Sequence, residues 1–260
     1  MRAWMKDERA MLAAAAMAVS LAIVLAVAVA SLWSLRIPDF TAMEHVDQRK
    51  QAFFEFMLPI VSDINGQILE DRDALERIDA QLEAGGEVGF LDSLWLESMA
   101  DRYRLDMHEE SPRLTVKTLL RRVDVVPPSL ALAQSAVESA WGRSRFARNG
   151  NNYFGIWCYW KDCGLVPGRR EVGKRHEVRR FASPQESAQR YVRTLNTAPF
   201  YRRLRRIRAH MRQTDQPLTG SALARGLEHY SERGEAYIAD LLSVIRINEL
   251  SRFDRALAPS

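Results

Sequence analysis

Twenty-three consecutive uncharged residues near the start, Met11 to Trp33 (MLAAAAMAVSLAIVLAVAVASLW), constrain this chain of 260 residues more than any other feature. About 20 apolar residues at ~1.5 Å rise per residue cross the ~30 Å hydrocarbon core of a bilayer, so the run is long enough for a transmembrane helix. It exceeds the apolar stretch of an ordinary secretory signal, about 7 to 15 residues, and Trp33 stands where an interfacial aromatic belongs. Two alternatives stay open: a signal peptide cleaved after Ala28-Val29-Ala30, and a buried core helix. Arg2, Lys6 and Arg9 precede the run and only Arg36 follows closely, a bias that leaves residues 1–10 in the cytoplasm. A single-pass inner-membrane protein is therefore expected, with everything beyond the anchor at 11–33 in the periplasm.

That placement bears on the two cysteines, Cys158 and Cys163. An oxidising compartment permits them to pair, and their spacing in GIWCYWKDCG, with Asp162 and Gly164 as turn formers, suits a short loop tied at its base. Two free thiols are the alternative. His45, His108, His176, His210 and His229 are scattered without ligand spacing, so no metal site is implied; nor is a nucleotide cofactor implied.

Residues 34–46, with IPDF at 37–40, read as a linker. Charge then divides the chain. Residues 47–111 hold 16 acidic against 6 basic side chains, whereas 112–260 hold 13 acidic against 27 basic. Such halves either pack through complementary fields or serve different partners. The acidic segment is predicted helical: Phe53, Phe56, Met57, Ile60, Ile64 and Ile68 recur at threes and fours, as do Ile68, Leu75, Ile78 and Leu82. Gly85, Gly86 and Gly89 break the pattern before a second helix over Phe90 to Tyr103.

In the basic half, taken as a domain over 112–254 with a tail at 255–260, a helix is expected from Leu130 to about Phe146. The next 35 or so residues, turn-rich and aromatic, are where strands belong. Ser183-Pro-Gln-Glu186 is a capping box with proline at the first helical position, so a helix begins at Pro184 and runs to about Leu195. Further helices are predicted over Phe200–Arg212, Ser221–His229 and Glu235–Leu250. The six arginines at 202, 203, 205, 206, 208 and 212 read either as a solvated face or as a surface for peptide carboxylates or anionic lipid head groups. Nucleic acid is not expected as a partner outside the cytoplasm.

Glu138 carries the chemistry. Ala136, Val137, Ala140 and Trp141 surround it in sequence, with no lysine or arginine in the preceding helical turn. Desolvation there raises a carboxyl's pKa and keeps it protonated near neutral pH, the state that donates a proton to a glycosidic oxygen. Ala136, Ala140 and Gly142 leave room for a backbone or a sugar to approach. Taken alone, the same residue also fits a glutamate on a solvated helical face.

Ala133–Ser144 (AQSAVESAWGRS) followed by Asn151–Ile156 (NNYFGI) resembles the core of the endo-β-N-acetylglucosaminidase family, which includes peptidoglycan hydrolases. WCYWKDCG and the upstream KQAFFEFMLPIV are most like its bacterial Bax group. The resemblance implies a mainly α fold: a lysozyme-like helical domain with a small β lobe, here preceded by the anchor and the helical segment. It implies hydrolysis of the β-1,4 bond after N-acetylglucosamine, with peptidoglycan glycan strands as substrate and other envelope proteins as partners. The family's catalytic acid falls on Glu138, and its active-site tyrosine falls on Tyr230, with Tyr237 matching the later aromatic; a core tyrosine is the alternative for Tyr230. Glu177 is the candidate second carboxylate, with Glu171 the other acid of the β region. Glu177 also fits a strand residue paired with Arg179 or Arg180, and the substrate's own N-acetyl group is a further candidate nucleophile. Asn152, Tyr153, Phe154, Trp157 and Tyr237 are the expected glycan contacts, with Phe154 turned inward and Tyr153 or Trp157 toward the cleft. A lytic transglycosylase and a catalytically idle glycan-binding scaffold remain as rival readings.

Overall fold

A long amphipathic helix against an almost wholly buried one organises the fold. The structure is a computed structural model that describes residues 37–106, 111–168, 173 and 175–257. The apolar run Met11–Trp33, its flanking cations and Glu171 lie outside the described residues, and among those described no helix is long and apolar enough to cross a membrane. The chain divides into two units, Met1–Asp39 and Phe40–Ser260, and the helices and strands of the described residues all belong to the second.

Helix α1 (Val46–Glu83) buries Phe53, Met57, Ile60, Ile64, Ile68, Leu75 and Ile78 along one stripe, the threes and fours expected from the sequence. Gly85, at φ +80°, turns the chain out of it, and α2 (Phe90–Arg102) follows. Ser111 caps α3 (Pro112–Arg122) by accepting the Leu114 amide. Helix α4 (Pro128–Ser139) is buried on nearly every side. The single helix expected to Phe146 is broken: Ala140, Trp141 and Gly142 all have positive φ, and a short α5 (Arg145–Gly150) restarts beyond Ser144.

Three short antiparallel strands form the β lobe: β1 (Trp157–Cys158), β2 (Gly164–Leu165) and β3 (Glu177–Arg179), with β3 central. Cys158 pairs in register with Glu177 and is disulfide-bonded to Cys163. Helix α6 (Pro184–Thr197) begins where the capping box predicts, Ser183 accepting the Glu186 amide and Glu186 accepting that of Ala182. After a 3-10 turn (Pro199–Tyr201) come α7 (Arg202–Gln213), α8 (Gly220–Ala224), α9 (Glu235–Ile247) and a closing 3-10 segment (Leu250–Leu257). There the Asp254 carboxylate accepts the Ser129 amide and hydroxyl and the Gly220 amide, tying the closing segment to the start of α4.

The acidic and basic segments share one core, with Phe53, Met57 and Leu75 in the same buried cluster as Leu132, Tyr191 and Leu241. Polar contacts cross the same boundary. Asn65 pairs at two points with the backbone of Val126, and Lys117 reaches Asp79 and Glu83. Arg72 of α1 meets buried Asp124, which also accepts from Arg212 and pairs with Arg208. Burial alone would raise the Asp124 carboxyl, but attraction to these arginines, Arg208 foremost, holds it below the usual range. This corrects in part the reading of α7 as a solvated or ligand-binding basic face. Arg205 and Arg208 are buried and spend their donors on backbone carbonyls of residues 195, 198, 124 and 125, and only Arg202, Arg203 and Arg206 are left exposed.

Asp124→Asn leaves the Arg208 guanidinium buried without its counter-charge, and breaking such a pair costs about 3 kcal/mol or more. Urea unfolding of the full-length chain is expected to show that loss, whereas exposed Arg206→Gln should change stability by under about 0.5 kcal/mol.

Candidate active site

Glu138 sits in the last turn of α4, where the left-handed exit of the chain uncovers one side of an otherwise buried helix. The exit is held by Ser139, whose hydroxyl donates to the Ser135 carbonyl and accepts the Gly142 amide. Gly142 is needed there for two reasons: its φ is +77°, and a Cβ would collide with the Phe40 ring. The space expected for a sugar at Gly142 is thus filled by an aromatic side chain of the protein itself. Trp141 turns edge-on to Phe53 and Phe54 of α1.

The neighbouring turn presses against Glu138. Asn152 is buried, its amide nitrogen donating to the Ile156 and Arg179 carbonyls and its oxygen accepting the Ile156 amide. These bonds pin the 152–156 turn and bring Gly155 so close that a Cβ would stand 2.8 Å from a Glu138 carboxylate oxygen. Any side chain at 155 would displace the carboxylate.

Tyrosines complete the surroundings. Tyr191 donates to the Gln134 oxygen (2.6 Å), the Gln134 nitrogen donates to the Tyr237 hydroxyl (3.0 Å), and Tyr237 hydrogen-bonds Glu138. Tyr230 stacks on Tyr237 and donates to the Phe154 carbonyl (2.8 Å). Burial raises the Glu138 carboxyl above its ordinary value, and the Tyr237 bond opposes this only in part. Among the described residues no lysine or arginine pairs with it. Burial, and then the nearby Glu138 charge, pushes Tyr201 up to about 12, so it remains a neutral hydrogen-bond donor.

Glu138 opens onto a cleft of about 750 Å³. One wall is Phe154, Gly155, Ile156 and Trp157, extended by Tyr159 and by His176, whose ring stacks on Trp157 at 4.2 Å. The other is Arg190 and Thr194 of α6, Tyr201, and the loop His229 to Arg233. Trp157 and Tyr159 are exposed and present flat apolar faces.

The structure thus brings Glu138, Phe154, Trp157 and Tyr230 together at the cleft, and places other expected residues elsewhere. Tyr153 points away, buried against Phe53 and Phe56 of α1. Phe154 is buried as expected, stacked on Tyr191 at 4.1 Å, yet its edge still lines the cleft. Asn152 and Tyr237 are buried and do not line the cleft, Asn152 bracing the 152–156 turn and Tyr237 hydrogen-bonding Glu138. Glu177 is likewise corrected: it is buried in β3, and its two oxygens accept the amides of Asp162 (3.2 Å) and Gly164 (2.8 Å), so it braces the disulfide loop and does not line the cleft. It is a strand residue, paired with backbone amides rather than with Arg179 or Arg180. Sequence reasoning missed Arg190, Tyr201, Gln134 and Glu232. For Arg190 and Thr194 the i, i+4 spacing beside an inward Tyr191 was the available signal. For Glu232 it was the two-residue distance from Tyr230.

A protein-family model described as mannosyl-glycoprotein endo-beta-N-acetylglucosaminidase matches residues 115–250, and the chain belongs to this glucosaminidase family of glycoside hydrolases. It is similar to the Protein bax of Escherichia coli strain K12, at 33% identity over 216 residues covering 83% of this chain and 76% of that one. Among solved structures, the catalytic domain of the autolysin Auto from Listeria monocytogenes is 18% identical, with 68% of this chain and 96% of that one covered at a TM-score of 0.38.

Tyr237→Phe removes the bond that favours the charged Glu138, so the carboxyl rises further. If activity needs the protonated form, the alkaline limb of the rate profile moves to higher pH. The check is kcat/KM against pH for both proteins. A limb moving to lower pH would contradict this electrostatic assignment.

Proposed function

We propose that this chain is an envelope peptidoglycan hydrolase that cleaves the β-1,4 bond after N-acetylglucosamine, with Glu138 as general acid. The observation carrying this reading is a carboxyl raised by burial, without a cationic partner among the described residues, at an aromatic-walled cleft in a glucosaminidase-family chain. As the C1–O bond breaks, the Glu138 proton passes to the departing sugar oxygen while positive charge grows on the ring. Water adds to C1 and passes its proton to a cleft carboxylate, Glu232 if it acts as base or the now ionised Glu138 if an intermediate is hydrolysed. Glu138 and Glu232 are the cleft-lining carboxylates among the described residues. Exposed Glu232 takes the role of second carboxylate that Glu177 cannot, unless the substrate's N-acetyl group attacks first. The apolar run at 11–33 supports an inner-membrane anchor that holds the domain on the periplasmic side, within reach of the glycan.

The test is mass analysis of muropeptides released from sacculi by the purified full-length chain. Fragments ending in reducing N-acetylglucosamine are expected. Glu138→Gln should cut release by about 10²-fold or more, the usual worth of a positioned acid, and Glu232→Gln should lower kcat with little change in KM. Anhydro-sugar ends would instead identify a lytic transglycosylase. Wild-type release by Glu138→Gln would remove the catalytic assignment.

A further inference from the structure

Arg190 is the one cleft-wall residue, among those described, whose surroundings do not balance it. It stands on α6 beside Tyr191, which turns inward onto Phe154, while Arg190 and Thr194, one turn apart, face the cleft. Its Nε is buried without a hydrogen-bond partner among the described residues. Nor does a described carboxylate pair with it: Glu232 lines the same cleft without doing so, and the Arg233 of that loop is taken by Asp240. Burial first, and then the like charges of Arg104, Arg179 and Arg193, holds its guanidinium below the usual range. Arg179 is itself held by aromatic faces, 5.7 Å from the Trp160 ring and 5.2 Å from Phe181, and not by an acid among the described residues. Buried donors in native proteins are paired with few exceptions, and one on the wall of an open cleft, on a half-buried arginine, is placed where a ligand can complete it.

A neutral sugar hydroxyl would satisfy the donor but leave the charge uncompensated. A carboxylate answers both, since its two oxygens match the planar guanidinium fork. Resting on the proposed function, we propose that Arg190 forms a subsite for a carboxylate on the peptide branches of the glycan strand, with Arg179 and Arg193, which do not line the cleft, adding positive charge from behind it. Of the six arginines of α7 that offered themselves for this task in the sequence, Arg205, Arg208 and Arg212 are spent inside the fold.

The experiment compares soluble peptide-bearing glycan strands with the same strands stripped of peptide by an amidase. For the full-length wild type, kcat/KM should favour the peptide-bearing strands by about tenfold, the scale of one charge-assisted hydrogen bond, and added salt should shrink this preference. Arg190→Gln should bring the ratio close to one, with Arg190→Lys in between. Exposed Arg193→Gln should lower it partially, which keeps the test open if Arg190→Gln fails to fold. No preference in the wild type, or an undiminished preference in Arg190→Gln and Arg193→Gln, overturns the subsite. Should the wild type cleave neither strand, the proposed function fails instead. Co-sedimentation with intact and peptide-stripped sacculi then still reads the binding preference by itself.

Discussion

The carboxyl of Glu138 is where it is because α4 stops one residue later in a conformation that L-amino acids resist. Ala140 and Trp141 both lie at positive φ, at about 1–3 kcal/mol each, and a chain keeps such strain only where the surroundings over-determine it. Here they do. Trp141 is locked against Phe53 and Phe54, Phe40 closes over Gly142, and Ser139 ties the two ends of the turn. Had the helix continued, as its sequence suggests, Glu138 would be one more mid-helix residue. Because it stops, the carboxyl emerges half-buried at the base of the cleft, with Gly155 pressed against it.

The partners of that turn belong to the segment before residue 112. None of the described residues of 47–111 lines the cleft, yet α1 supplies the aromatic wall behind Trp141 and, through Asn65 and Arg72, grips the 120–126 stretch that leads into α4. The acidic segment is better described as part of the domain's core than as a cover over its site. Asp124 links the two halves more tightly still, gathering Arg72 from one and Arg208 and Arg212 from the other around a single buried charge. The opposite net charges seen along the chain reflect partly this internal pairing.

Much of this was legible beforehand, for identifiable reasons. Hydrophobic stripes at threes and fours, a capping box and glycine breaks are local signals, and the helices they announce form within a few residues of the expected bounds. The unusual apolar setting of Glu138 was local too. Features that depend on long-range contact were not legible. Nothing near Tyr153 tells that Phe53 and Phe56, nearly a hundred residues earlier, will draw it away from the cleft. Glu177 looked catalytic because acids are few in the β region, and only the register that sets it opposite Cys158 shows that the Asp162 and Gly164 amides claim it. Arg208 read as a surface charge because a run of arginines normally is one. Arg190 and Glu232 become neighbours of Glu138 only once α6 and the 229–233 loop fold across from the β lobe.

Proton donation by Glu138 depends on burial keeping its carboxyl protonated. The direct measurement is a titration of the Glu138 side-chain carboxyl carbon by NMR in the purified chain, assigned against Glu138→Gln. A midpoint clearly above the ordinary glutamate value of about 4.3 is expected. A midpoint at or below that value would mean the site holds a carboxylate, and the role of proton donor would have to pass to another group.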